Sequence, residues 1–147
     1  MIGSERNLTI REISDGDEFA GWLREVIEQS PSTPEGDLLQ ETRHLALTNE
    51  IGDWIGGLRY TLRGGVAHLA DIAIVEPERG HGHAFRLLTA FEAHARGEGA
   101  HLAEFWIDDL RTEPLLSALG WERRLRRDGY WNGGTWYLMD RELVLEP

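Results

Sequence analysis

The order of hydrophobic patterns along the chain predicts an α+β (mixed α/β) fold. Segments with a period of two alternate with segments of helical period in the order β-α-β-β-β-α-β-α-β-β. Tight turns such as Gly64-Gly65 join successive strands as hairpins, whereas amphipathic helices connect others as crossovers. The 147 residues match the usual size of one domain, so residues 1–147 are expected to form a single domain.

The individual elements follow from the spacing of apolar residues. Alternation predicts strands at 8–12, 44–48, 54–63, 66–74, 101–107, 121–127 and 135–143. Helical spacing of Phe19, Trp22, Leu23, Val26 and Ile27 predicts a first helix, which is followed by a loop or short helix up to about Gln40. A second helix is expected from Ala84 to Ala95, where Gly97 and Gly99 stop it, and a short third helix around 114–119.

Composition excludes several classes of function. A net charge of −11 argues against DNA or RNA as a partner, because phosphate binding needs clustered Lys and Arg. The absence of cysteine excludes disulfides, thiol nucleophiles and thiolate metal sites. No apolar run approaches the ~20 residues that span a bilayer, and the first six residues lack the order of a signal peptide. A cytoplasmic protein without membrane partners is therefore expected.

The sharpest local motif is the loop Arg79-Gly80-His81-Gly82-His83-Ala84, which lies between a predicted strand and a predicted helix. Its glycines allow the backbone to fold so that several N–H groups point into one concavity. The helix that follows adds its positive dipole end and its own unpaired N–H groups. Such a loop binds phosphate without net positive charge. It lacks the Gly-Lys-Ser/Thr ending of a Walker loop and the spacing of a dinucleotide-binding fingerprint.

Four segments resemble, in order and spacing, motifs of the GNAT superfamily of N-acetyltransferases. The loop 79–84 matches the family signature of Arg or Gln, two residues, Gly, one residue, then Gly or Ala. The strand end 72–74 is similar to the Leu-Ala-Val that precedes this loop. Residues 119–122, Leu-Gly-Trp-Glu, resemble the Leu-Gly-Phe-Glu that closes the family's fourth helix, and 137–143 resemble its last strand.

This resemblance implies a fold, an activity and a cosubstrate. The fold would be a mostly antiparallel seven-stranded sheet with splayed parallel strands 4 and 5, flanked by about four helices. The activity would be direct transfer of an acetyl group from acetyl-CoA to an amine, on either a small molecule or a peptide. The implied cofactor-binding residues are Ile72, Ala73, Ile74, Arg79, Gly80, His81, Gly82, His83, Ala84 and Asp109. Among them the strand end would pair with pantetheine, the loop amides would hold the pyrophosphate, and Asp109 stands where the family has Asn.

Three residues are candidates for the base that takes the amine's proton. The segment 67–74 is similar to a strand of arylalkylamine N-acetyltransferases, and His68 matches the first of two histidines that serve the amine there. A histidine titrates near neutral pH and so suits the role. Strand alternation would place His68 on one face with Ile72 and Ile74, and Asp71 on the other face unless a bulge intervenes. Glu104 on the next strand is the carboxylate alternative.

The acid that protonates the leaving thiolate is open, because Leu116 occupies the position of the family's usual Tyr. Tyr130, Tyr137 or solvent could replace it, and an amide N–H about Ile74 would donate to the oxyanion. His81 and His83 lack a third spaced ligand, so no metal is expected. The tryptophans at 106, 121, 131 and 136 are expected in the core or at a dimer interface. The segment 130–134 could also border the acceptor site.

Two further expectations concern partners and a rival function. GNAT domains often pair through their last strands, which are rich in Trp and Tyr here, so a homodimer is expected. The rival function is a non-catalytic acyl-CoA-binding or regulatory domain of the same fold, which Leu116 in place of Tyr makes plausible.

Overall fold

A computed structural model describes residues 8–9, 11–13, 16–29 and 40–144 of the chain. The chain divides into two compact units, Met1–Gly36 and Asp37–Pro147. In the first unit, helix α1 spans Gly16–Glu28, and the rings of Phe19 and Trp22 lie 5.4 Å apart. The expected strand at 8–12 is wrong for the described residues 8, 9, 11 and 12, which form no strand, while Ile10 lies outside the described residues. The loop or short helix expected up to Gln40 also lies largely outside them.

The second unit is a six-stranded sheet with two α-helices. Its strands are β1 (Glu41–Thr48), β2 (Trp54–Arg63), β3 (Val66–Ile74), β4 (Leu102–Ile107), β5 (Glu122–Arg127) and β6 (Trp136–Glu142), and its helices are α2 (His83–Gly97) and α3 (Glu113–Ala118). The strand order is β1-β2-β3-β4-β6-β5, and every neighbouring pair is antiparallel except β3 and β4.

The mixed, mostly antiparallel fold is therefore confirmed, and the strand and helix counts are corrected. Within the described residues the sheet has six strands instead of seven, and there are three α-helices instead of about four. The parallel pair expected as strands 4 and 5 is present as β3 and β4. The predicted bounds 54–63 and 66–74 coincide with β2 and β3, because a Gly64-Gly65 turn with positive φ at both residues joins them.

The core lies between α2, α3 and one face of the sheet, hereafter the helix face. Buried apolar residues on this face include Leu58, Tyr60, Ala67, Leu69, Leu87, Leu88, Phe91, Ala103, Leu116, Trp121 and Met139. Phe91 of α2 packs edge-on against Tyr60 at 4.9 Å and stacks on Trp121 at 6.3 Å. The opposite face of the sheet, on which neither α2 nor α3 packs, is hereafter called the open face. Neither α1, α2 nor α3, the α-helices of the described ranges, has the length and apolar character needed to cross a membrane.

One buried carboxylate of α2, that of Glu92, connects this helix to β6 and to Trp121. Glu92 is only 5% exposed. Its carboxylate forms an ion pair with Arg141 on β6, 3.0 Å from Nε, and accepts a hydrogen bond from Nε1 of Trp121 at 3.3 Å. A charge removed from water is retained at such a site only when it is paired and hydrogen-bonded.

Replacing Glu92 with Ala should therefore destabilise the fold. The variant leaves Arg141 and the Trp121 N–H without their acceptor, and we expect the free energy of unfolding to fall by about 3 kcal/mol. Urea unfolding followed by circular dichroism measures the change. The control is Glu122→Ala on edge strand β5, where the ion pair with Arg124 is exposed and spans 3.5 Å, and the expected change is below about 0.5 kcal/mol. Equal losses in both variants would contradict a structural role for the buried pair.

Candidate active site

The parallel strands β3 and β4 separate partway along their length. They pair from Val66 opposite Leu102 to Leu69 opposite Phe105, and no further. Beyond this point β3 stays paired with β2 as far as Ile74, and β4 stays paired with β6 as far as Ile107. The two strands thus form a fork whose facing edges have no strand partner. Unpaired backbone groups of this kind can bind an extended ligand by hydrogen bonds.

A β-bulge at the closed end of the fork decides which side chains share a face. Leu69 is opposite Tyr60 and Asp71 is opposite Arg59, so Ala70 is an extra residue in β3. The alternation of side chains therefore reverses at Ala70. The expectation that His68 shares a face with Ile72 and Ile74 is wrong, because those two residues fall on the helix face. The bulge instead brings Asp71 to the open face, together with His68.

His68 and Glu104 form a pair on the open face. They are opposite each other in the parallel register, one position before the closed end of the fork. His68 Nδ1 lies 3.3 Å from Glu104 Oε1, and the two side chains are 29% and 28% exposed. Two residues considered as alternative bases are therefore neighbours in the structure, each partly accessible to solvent.

The other candidates for proton transfer are arranged differently. The carboxylate of Asp71 is exposed and accepts a hydrogen bond from Arg59 at 2.6 Å, so it is engaged in an ion pair. Tyr137 is opposite Ile107 on the helix face, with the guanidinium of Arg123 over its ring at 4.9 Å. Tyr130 contacts Trp106, whose side chain lies on the open face. Of the two tyrosines, only Tyr130 is associated with the face that carries His68.

The loop that follows β3 presents a row of backbone donors. Gly80 and Gly82 have φ values of 82° and 80°, in the left-handed region that favours glycine, and α2 begins directly after Gly82. Among the backbone hydrogen bonds of the described residues, none is donated by the N–H groups of 80–85. Arg79 folds back on the strand and donates from Nε to the Ile74 carbonyl at 3.0 Å. The loop thus joins the open end of the fork to the positive end of α2.

A cavity of about 350 Å³ lies against this loop. It is lined by Ile74, Glu78, Arg79, Gly80, Gly82, His83, Ala84, Phe85 and Leu115. The Nδ1 atom of His83 is buried without a hydrogen-bond partner in the described structure. Within the described ranges, no group of three or more His, Cys, Asp or Glu side chains could hold a metal ion.

Two positions at which the sequence departs from the family pattern have structural roles. Asp109 accepts hydrogen bonds from the backbone and guanidinium of Arg111 and caps a single 3-10 turn, Leu110–Thr112. The side-chain hydrogen bonds from Arg111 hold the pKa of Asp109 below its ordinary value. Leu116 of α3 has no exposed surface and belongs to the core. A role of Asp109 in cofactor binding stays a prediction.

Trp106 is a neighbour of the site that the sequence did not single out. It is the first residue of β4 beyond the last parallel pair, and it lies on the open face with Glu104. The sequence predicts core or interface packing for Trp106. The alternation of side chains along β4 nevertheless indicates that it shares a face with Glu104. Trp121, by contrast, is buried in the core as expected.

Comparison with known proteins gives one family. The family model described as "Acetyltransferase (GNAT) family" matches residues 8–121. The fold is similar to that of an acetyltransferase from Bacillus cereus ATCC 14579, with a TM-score of 0.69 and 20% identity over 90% of this chain and 98% of that one. It is also similar to the ribosomal-protein-S18-alanine N-acetyltransferase from Escherichia coli, with a TM-score of 0.65 and 16% identity over 95% and 96% of the two chains. No curated protein sequence gives a significant match.

Proposed function

This chain belongs to the acetyltransferase (GNAT) family, and we propose that it transfers the acetyl group of acetyl-CoA directly to an amine in a ternary complex. The observation that carries the proposal is the fork between β3 and β4, which opens towards a loop with unpaired N–H groups. A long, thin donor with amides at one end and phosphates at the other fits that order of binding groups.

The donor would be bound almost entirely by backbone. The strand end Ile72-Ala73-Ile74 forms one edge of the fork, where the amides of pantetheine would find partners that β4 no longer supplies. The N–H groups of the loop 80–84 and the N-terminus of α2 would hold the pyrophosphate. The cavity of about 350 Å³ beside the loop supports this assignment. None of these contacts needs a basic side chain.

The acceptor would react at the closed end of the fork. Holding the amine against the thioester can supply ~7–11 kcal/mol, and a general base a further ~3–5 kcal/mol. If Nδ1–H of His68 donates to Glu104, Nε2 is free to take the proton of the amine. The neutral nitrogen then attacks the carbonyl carbon and releases its second proton to solvent, the C–S bond breaks, and the thiolate takes a proton from Tyr130 or from solvent.

The position of the oxyanion donor needs revision under this arrangement. Ile74 lies next to the phosphate-binding loop, five residues beyond Leu69, and is therefore ~16 Å from the closed end of the fork. A donor to the carbonyl oxygen is better placed near Ala70, where the bulge disrupts the ladder of hydrogen bonds.

Replacing Gly82 with Val should impair donor binding. The φ of 80° is strained for a β-branched residue, and the new side chain stands where phosphate must approach the backbone. We expect the acetyl-CoA affinity measured by calorimetry to fall at least tenfold, or ~1.4 kcal/mol.

A matched control is available at the other end of α2. Gly99 also has a positive φ, of 88°, and, like Gly82, has no atom within 4 Å of an added Cβ. Gly99→Val imposes the same kind of strain away from the loop and should leave acetyl-CoA affinity unchanged. Full affinity in a folded Gly82→Val protein would remove the loop from the binding site.

Replacing His68 with Gln should impair the chemical step alone. Glutamine retains size and hydrogen bonding but cannot take a proton at neutral pH. We expect kcat/KM to fall ~10²-fold and the acidic limb of its pH profile to disappear, with unchanged acetyl-CoA affinity. Release of free CoA thiol with an amine panel provides the assay.

The control for this variant is His44→Gln, an exposed histidine on β1, which should behave as the parent protein does. Near-normal turnover of His68→Gln with the same acidic limb would rule out His68 and leave Glu104 or Asp71 as the candidate base. Binding of acetyl-CoA without thiol release for any amine would instead support the non-catalytic acyl-CoA-binding alternative, which the buried Leu116 favours.

A further inference from the structure

A row of polar side chains extends the pair of His68 and Glu104 across the open face. In the register of β4 with β6, Glu104 is opposite Asp140, and in the register of β5 with β6, Asp140 is opposite Glu122. Residues opposite each other on neighbouring strands share a face, and their Cβ atoms lie ~4.5–5.5 Å apart. Asp140 is therefore a direct neighbour of Glu104, on the side away from His68.

The carboxylate of Asp140 is almost removed from water and needs a partner. The residue is 8% exposed. A buried carboxylate without a partner is costly, and like charges directly opposite each other destabilise a sheet. The guanidinium of Arg124 neutralises this charge, because Nε donates to Oδ2 of Asp140 at 2.9 Å and Nη2 donates to Oδ1 at 3.0 Å. Two parallel hydrogen bonds of this kind fix the orientation of both groups.

A β-bulge in β5 makes this contact possible. The pairing of β5 with β6 shifts register between Arg123 and Leu125, so Arg124 is an extra residue in β5. It has no partner on β6 in the strand register, and its side chain lies against Asp140 instead. Arg124 also lies 3.5 Å from Glu122, where both side chains are exposed. Its guanidinium is thus engaged by two carboxylates of the row.

The pair of Arg124 and Asp140 determines which partner Glu104 takes. Because the guanidinium is engaged by Asp140, it does not draw Glu104 away, and the carboxylate of Asp140 repels that of Glu104 towards β3. On that side Oε1 of Glu104 lies 3.3 Å from Nδ1 of His68. An acceptor at Nδ1 keeps the proton on this nitrogen, so Nε2 of the neutral ring carries none.

We propose that Asp140 and Arg124 are positioning residues for the base: together they direct Glu104 to His68 and so fix the imidazole in the form with a free Nε2. This inference rests on the proposed function for the identity of the base, and it adds two residues that act on the base through Glu104. Removing Asp140 alone releases Arg124 to compete for Glu104. Removing Arg124 as well takes away the competitor and should restore the pair.

The tautomer of His68 tests this without turnover. It is read by ¹⁵N NMR of the full chain with labelled histidine rings, at a pH where the ring is neutral, and the signals missing in His68→Gln identify His68. We expect the Nδ1–H form in the parent protein. In Asp140→Asn the ratio of the Nδ1–H to the Nε2–H form should fall about fivefold, the factor that one ordinary hydrogen bond supplies. Arg124→Gln and the double variant should keep the parent's ratio.

The pH profile of kcat/KM gives a second, independent reading. Asp140 lies two strand spacings, ~10 Å, from His68, and one unit charge at this distance corresponds to about half a pH unit at an effective dielectric constant of ~40. Arg124→Gln leaves an excess negative charge that favours the protonated imidazole, so the acidic limb should move up by this amount. Asp140→Asn should move the limb down and lower kcat about tenfold, with unchanged acetyl-CoA affinity. In the double variant the limb should return to the parent's position.

The other charges around the pair stay constant in this comparison. In the second unit, the further charged or titratable groups on the open face of β2 to β6 and the turn after β5 are Arg59, Arg63, Asp71, Glu122, Arg127, Tyr130 and Glu142. The matched control is Arg123→Gln. It removes the same charge from β5 on the helix face, where Arg123 donates two hydrogen bonds to Glu113, and should change neither reading.

A merely structural pair would give a different pattern. Losses of activity in both single variants with the parent's tautomer and acidic limb would overturn the inference, and so would a double variant with the tautomer ratio of Asp140→Asn. Equal shifts in Arg123→Gln and Arg124→Gln would attribute the effect to overall charge and also overturn it. If Arg124→Gln alone does not fold, Asp140→Asn and the double variant carry the same test. The expected tautomers without acetyl transfer would support the positioning pair and contradict the proposed activity.

Discussion

The separation of β3 from β4 is the constraint on which the rest of the structure depends. Each strand is paired with its other neighbour, β3 with β2 and β4 with β6, so the two can diverge while each remains part of the sheet. Divergence leaves backbone groups on both edges unpaired, which a folded protein tolerates where water or a ligand satisfies them. The bulge at Ala70 coincides with the point of divergence, and the extra twist that bulges introduce is a physical reason for the fork to open there.

The same bulge places His68 and the two isoleucines of β3 on opposite faces of the strand. Before Ala70 the open face receives His68, and after it the helix face receives Ile72 and Ile74. Apolar side chains thus anchor the far half of β3 to the core while its backbone edge stays available. Without the extra residue, His68 and the two isoleucines would compete for one face. A partly exposed histidine and an accessible backbone edge can therefore lie on a single strand because its alternation is interrupted once.

A structural feature is predictable from the sequence where residues close together in the chain determine it. The bounds of β2 and β3 were predictable because alternation and a Gly64-Gly65 turn specify a hairpin within ten residues on either side. The bulge was not predictable, since alanine at position 70 carries no signal for an extra residue. The pairing of His68 with Glu104 was not predictable either, because it depends on the register of two strands whose paired residues are 36 positions apart in the sequence. The glycines of the loop 79–84 predict its phosphate-binding geometry, whereas only the resemblance to a family assigns a cosubstrate to it.

The acidic balance of the chain is compatible with a polyanionic donor because charge is organised locally. At the loop, phosphate would meet backbone N–H groups and a helix terminus, so its binding would not require a positive overall charge in a chain whose net charge is −11. On the open face, arginines neutralise Asp71 and Asp140 and leave Glu104 with a histidine. A protonated amine is attracted to such a surface and an acidic molecule is repelled. Under the proposed function, donor and acceptor would therefore be recognised by different physical means at the two ends of one fork.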